Sequence, residues 1–137
     1  MIKKDGLIDP LAKAKGFGSA KEGAHHWWMQ RLTAIANVGL MVWLMCRLTQ
    51  LVATPYETTA EAMAMAKAFV AEPCSTFLLA LIILNVSYHA VLGLQVVIED
   101  YVQCKCMKIG SLIMLRLGGF AIAAFGVYSL LKIAFGG

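Results

Sequence analysis

Three stretches of the chain are apolar over lengths that a single buried face does not explain. Between Pro73 and Ile98 no formally charged residue occurs. A bilayer core takes about 20 residues of helix, so this stretch is long enough to cross it. Two others have shorter uncharged centres: Leu32–Cys46, bounded by Arg31 and Arg47, and Leu117–Leu131, bounded by Arg116 and Lys132. Long basic side chains lie along a helix and place their heads in the interface, so the helices run on past these residues. The pattern predicts spans over residues 27–52, 75–100 and 109–135. Between the first two, Thr58–Val70 is rich in Ala and Met with few charges, which predicts a short interfacial helix.

Composition agrees with this pattern. Of 137 residues, 60% are hydrophobic and only 15% charged, against about 25% charged in a soluble domain. One small core could not hide so much apolar side chain. The expected class is therefore an all-α integral membrane protein, a single domain over residues 1–137 with a short N-terminal arm. Nucleotide folds and barrels are excluded, because little chain remains outside the spans. The first apolar run begins too far from the N-terminus, and lacks the small-residue cleavage site, for a signal peptide. The arm itself, with Lys3, Lys4, Lys13, Lys15 and Lys21 beside Asp5, Asp9 and Glu22, reads as solvated and poorly structured.

The net charge of +4 bears on topology rather than on nucleic acid. Nine of the twelve Lys and Arg residues lie ahead of the uncharged centre that starts at Leu32 or surround the turn between the second and third spans. By the positive-inside rule both regions face the cytoplasm or matrix. The cysteines form no metal pattern. Cys104 and Cys106 offer two ligands, and no second pair completes a tetrahedral set. Cys46 and Cys74 fall on the outer side, open to a disulfide or to remaining free.

Polar interruptions of the second span carry more information: Asn85, Ser87, Tyr88, His89 and Gln95. A mid-membrane imidazole needs an interior partner, whether a hydrogen bond, a proton path or a metal. Gly93, four residues on and on the same face, leaves space beside the imidazole for a flat cofactor. Asp100 returns to about the same face, and Tyr101 stands some ~18 Å along the axis, at the wet end. The plain alternatives are interhelical hydrogen bonding for His89 and an interfacial anchor for Tyr101.

The run from His89 through Gly93 to Asp100-Tyr101 resembles the second-helix signature of the small hydrophobic membrane anchor of succinate dehydrogenase. In that family the pattern is His, three residues, Gly, six residues, Asp-Tyr. The start of the first span, Gly23-Ala24-His25-His26-Trp27-Trp28-Met29-Gln30-Arg31-Leu32-Thr33-Ala34, is similar to the family's Gly…His…Arg-x-Thr-Ala block. The preceding Gly18-Ser19-Ala20-Lys21-Glu22 resembles the alphaproteobacterial and early-mitochondrial branch. The turn Val102-Gln103-Cys104-Lys105-Cys106-Met107 lies outside the resemblance.

The resemblance implies a three-helix anchor in the bacterial cytoplasmic or mitochondrial inner membrane. Its partners would be the flavoprotein, the iron–sulfur subunit and a second, cytochrome b anchor subunit, with membrane lipid around them. His89 would be one axial ligand of a shared haem b, opposite a histidine of the partner anchor. Arg31, helped by His25 or His26, would meet a haem propionate. Tyr101 would donate its hydroxyl to a carbonyl oxygen of ubiquinone, and Asp100 would tune that site or feed it protons. The chain alone would have no activity. Two alternatives stand beside this reading: the anchor of a quinol:fumarate reductase, and a haem-free tether in which His89 only packs.

Overall fold

A computed structural model describes residues 22–136, which form four helices. The N-terminal arm lies outside the described residues. Helix α1 spans Glu22–Ala53, α2 Thr59–Ala71, α3 Pro73–Tyr101 and α4 Lys105–Ala134. Three of them, α1, α3 and α4, are long and apolar enough to cross a membrane. At about 1.5 Å per residue, the 29 residues of α3 reach some ~44 Å, more than the hydrocarbon thickness. The molecule is an all-α integral membrane protein. Each long helix starts before its predicted span, α1 by five residues and α4 by four. The reason is physical: backbone hydrogen bonding does not stop where the apolar run stops, so the helices continue into the polar zone.

Local chemistry sets the corners. Thr58 caps α2 by accepting from the Glu61 backbone N–H at 3.3 Å, while the Glu61 carboxylate accepts from the Glu57 N–H at 3.0 Å. This is a capping box displaced by one residue. Glu72 ends α2 and precedes α3, with an extended backbone (φ −62°, ψ 124°). The following Pro73 explains both: a residue before proline is driven out of the helical region, and proline is well placed in a first turn. At the other end, Lys108 Nζ donates to the Glu99 carbonyl at 2.6 Å, tying the start of α4 to the last turn of α3. Gly136, at φ 86°, closes α4 in the left-handed conformation that glycine adopts without strain.

Helix α3 is central. Helix α4 packs along one flank, α1 along another, and α2 lies against α3 and α4. The α3–α4 approach depends on two glycines one heptad apart. A Cβ at Gly119 would overlap Val91 Cγ2, and one at Gly126 would sit 2.9 Å from Ile83 Cγ2. Small residues let helix backbones approach where lipid gives no hydrophobic drive to association. Among the described residues the buried apolar set is only Ile82, Leu92, Ala123 and Leu130, while Ile35, Val38, Val42, Met114 and Phe120 face outward. Such surfaces suit acyl chains rather than water.

The corner where α1, α2 and α3 meet is latched by a polar cluster. Arg47 on α1 pairs with Glu72 at 2.7 Å and lies over the Phe69 ring at 5.3 Å. The same Glu72 oxygen accepts from Ser75 Oγ at 2.7 Å, and Ser75 is only 2% exposed. Trp43 and Phe69 meet at 6.2 Å between ring centroids. The short helix predicted at 58–70 is present as α2, docked on the bundle.

Candidate functional site

The polar residues of α3 do not point one way. Asn85 and His89, one turn apart, face α1 and together grip Thr33. Asn85 Nδ2 donates to the Thr33 carbonyl at 2.9 Å and to Asn37 Oδ1 at 2.7 Å. His89 Nδ1 lies 2.9 Å from Thr33 Oγ1. Thr33 is the most enclosed residue of α1, at 5% exposure, and its hydroxyl also reaches the carbonyls of Met29 (2.8 Å) and Gln30 (3.1 Å). The imidazole is half-buried, and among the described residues no hydrogen bond reaches its Nε2.

Beside this contact opens a cleft of about 1140 Å³ between α1, α3 and α4. His25, His26, Gln30 and Arg31 line it from α1, Tyr88, Gly93 and Gln95 from α3, and Arg116 and Gly119 from α4. Two of its polar atoms, His26 Nε2 and Gln30 Oε1, are buried without a hydrogen-bond partner among the described residues. Buried polar atoms are rarely left without a partner. The Arg31 guanidinium stacks over the Trp27 ring at 4.2 Å. Arg116 donates to Gln95 Oε1 at 3.4 Å, and Gln95 in turn donates to Glu99 at 2.8 Å. The one ion pair among the described residues is Arg47–Glu72, at the far corner, so neither arginine of the cleft is matched to a carboxylate.

The expected site residues thus fall in three places. His89 faces the α1–α3 contact and is not part of the cleft wall; Arg31 stands on the cleft wall. Asp100 and Tyr101 close α3 at its end, both exposed, Tyr101 at 82%. Gly93 does line the cleft, but the nearest group to a Cβ there is the Gln30 carboxamide, at 3.4 Å. Gly93 thus borders open space, with the Gln30 side chain of α1 at its edge. The four cysteines are free and exposed, with no disulfide between Cys46 and Cys74. No cluster of three or more potential metal ligands occurs among the described residues.

Sequence reasoning missed Thr33 as the partner of His89, and Arg116 as a cleft residue. Thr33 carried a signal, its place in the Arg-x-Thr-Ala block, but no spacing along one helix reveals which helix it meets.

Comparison with known proteins converges on one family. Residues 7–128 match the model of the succinate dehydrogenase/fumarate reductase transmembrane subunit. The chain is 36% identical over 110 residues to a succinate dehydrogenase hydrophobic membrane anchor subunit of Rickettsia bellii, covering 78% of this chain and 80% of the relative. The corresponding subunit of Rickettsia conorii is 32% identical over 107 residues, with the same coverage. That of Paracoccus denitrificans is 27% identical over 129 residues, covering 94% of each. No solved structure matches significantly.

Proposed function

Since the chain belongs to the succinate dehydrogenase/fumarate reductase transmembrane-subunit family, as a membrane anchor of that oxidoreductase complex, we propose that it co-ligates haem b through His89 and forms one wall of a ubiquinone site at Asp100 and Tyr101. The observation that carries the haem reading is the half-buried imidazole inside a span, engaged through Nδ1 and with Nε2 unclaimed by any hydrogen bond among the described residues. A metal-binding histidine has this arrangement: one ring nitrogen held by a second group, the other free. A second imidazole would come from the partner anchor subunit, and the haem, when bound, would supply one-electron exchange.

The chain's own residues have distinct tasks in this reading. His89 binds and orients. Arg31, fixed in charge and unmatched by a carboxylate among the described residues, neutralises a propionate, with His26 Nε2 available as a further donor. Tyr101 donates its phenol O–H to a quinone carbonyl oxygen, and Asp100 holds a proton near it, since a quinone accepting two electrons also takes two protons. The exposure of both residues suits a pocket whose other walls come from neighbouring subunits. The flavoprotein and iron–sulfur subunit dock on the side carrying Tyr101, the cytoplasmic or matrix side of an inner membrane. The chain alone has no turnover.

One observation favours a second reading. The His89–Thr33 contact already satisfies one ring nitrogen within the chain, which is what a purely packing histidine in a haem-free tether requires. The family description also covers fumarate reductases, the reverse direction. A reduced-minus-oxidised visible spectrum of the complex, purified through a tag on this chain, tests the haem reading. A sharp b-type α band, lost in His89→Ala while the subunits still co-purify, is the expected result. No band in an intact complex, or a band that survives His89→Ala, overturns it.

A further inference from the structure

Thr33 meets α3 through both its backbone carbonyl and its side chain. Three polar atoms surround its hydroxyl oxygen: the Met29 carbonyl at 2.8 Å, the Gln30 carbonyl at 3.1 Å and His89 Nδ1 at 2.9 Å. A hydroxyl has one proton to give and lone pairs to accept with. The two carbonyls can only accept, so they compete for the proton, as in the usual back-bonding of a helical threonine to the preceding turn. The lone pairs are left for His89.

We propose that Thr33 is the positioning residue of His89, accepting the Nδ1 proton and thereby fixing the tautomer that leaves Nε2 bare to bind iron. The inference rests on the haem reading above and deepens it. In a neutral imidazole one nitrogen carries the proton and the other the free pair. Seating the proton at Nδ1 decides which is which, and the bond also fixes the rotation of the ring. Asn85 completes the arrangement by holding the Thr33 carbonyl at 2.9 Å, so that α3 grips backbone and hydroxyl of the same residue from two positions one turn apart. Because Thr33 is 5% exposed, water has little access to substitute for its hydroxyl.

An Nδ1–H bonded to an acceptor also makes the imidazole a stronger electron donor at Nε2. Stronger donation favours the ferric state and lowers the midpoint potential of the haem. Thr33→Val removes the acceptor and nearly conserves the volume, whereas Thr33→Ser keeps the hydroxyl. In the purified complex, Thr33→Val should retain haem but raise its midpoint potential in a redox titration of the α band. It should also shift the g values of the low-spin ferric signal, and Thr33→Ser should restore both.

A Thr33→Val complex with haem bound, unchanged potential and unchanged g values overturns the proposal. Should that variant not assemble, Thr33→Cys takes its place, because a thiol is a weak acceptor. An unchanged potential there overturns the proposal equally. The two readings fail separately. A wild-type complex without haem, or with a spectrum indifferent to His89→Ala, removes the haem reading and this inference with it. A spectrum that requires His89 but ignores the Thr33 hydroxyl removes this inference alone.

Discussion

The close approach of α3 and α4 should be measurable as a coupling between Gly119 and Val91. In Gly119→Ala the new Cβ overlaps Val91 Cγ2, whereas the Val91 Cβ lies 3.8 Å from it, an ordinary contact. One methyl group thus accounts for the whole conflict. Overpacking of this kind costs about 1–3 kcal/mol. Glycine-to-alanine also gains helix propensity, about 1 kcal/mol, which blurs the single substitution. A double-mutant cycle removes that term, because it is the same in both backgrounds. Gly119→Ala measured in a Val91→Ala background should therefore be more favourable than in wild type by about 1–3 kcal/mol, some 5–150-fold in the unfolding equilibrium. The assay is loss of helicity with rising SDS fraction in mixed micelles, followed by circular dichroism. Gly118→Ala is the internal control: nothing lies within 4 Å of its Cβ, and its coupling to Val91 should be near zero. Equal effects of Gly119→Ala in both backgrounds would refute the packing described here.

Tyr101→Phe should lower succinate–quinone turnover while dye reduction by the dehydrogenase subunits is preserved; unchanged quinone turnover sinks the role given to Tyr101. At the corner of α1, α2 and α3, Arg47→Ala removes a partly exposed ion pair worth about 0.2–1 kcal/mol. Glu72→Ala should cost more, because it also strips the acceptor from buried Ser75, a loss of about 1–3 kcal/mol. Equal SDS midpoints for the two variants would contradict that order. Asn85→Leu should weaken α1–α3 packing by about 1 kcal/mol in total, at roughly 0.6 kcal/mol per interhelical bond. Asn37→Val, which removes one of those bonds, should show about half that loss in the same titration.

The three spans were legible because crossing a bilayer is a one-dimensional requirement: enough apolar residues in a row. Helix α2 was legible for a related reason, as Thr58–Val70 is rich in Ala and Met with few charges. The pairing of Thr33 with His89 was not. It joins residues 56 positions apart and depends on how α1 is rotated against α3, which periodicity along either helix leaves open. Gly93 shows the same limit. Its missing side chain marks space on that face of α3, but that Gln30 of α1 stands at the edge of that space follows only from how the helices pack. Arg116 was read as a boundary charge, and only the packing of α4 brings it to the cleft.

Because α1 and α4 both lean on α3, the order in which the ribosome delivers these helices matters. Helix α1 emerges first, carrying Thr33 and Asn37, whose partner Asn85 follows 52 and 48 residues later. At about 5–20 residues per second of synthesis, the interval is some ~3–10 s. Throughout it, the Thr33 carbonyl keeps its bond within the helix, but the Asn37 side-chain amide lacks the Asn85 donor, in a medium that does not solvate it. Until α3 arrives, α1 is best sheltered at the insertion machinery or against another membrane helix. Completion of α3 supplies that donor, so the pairing of α1 with α3 within the chain waits on the synthesis of Asn85.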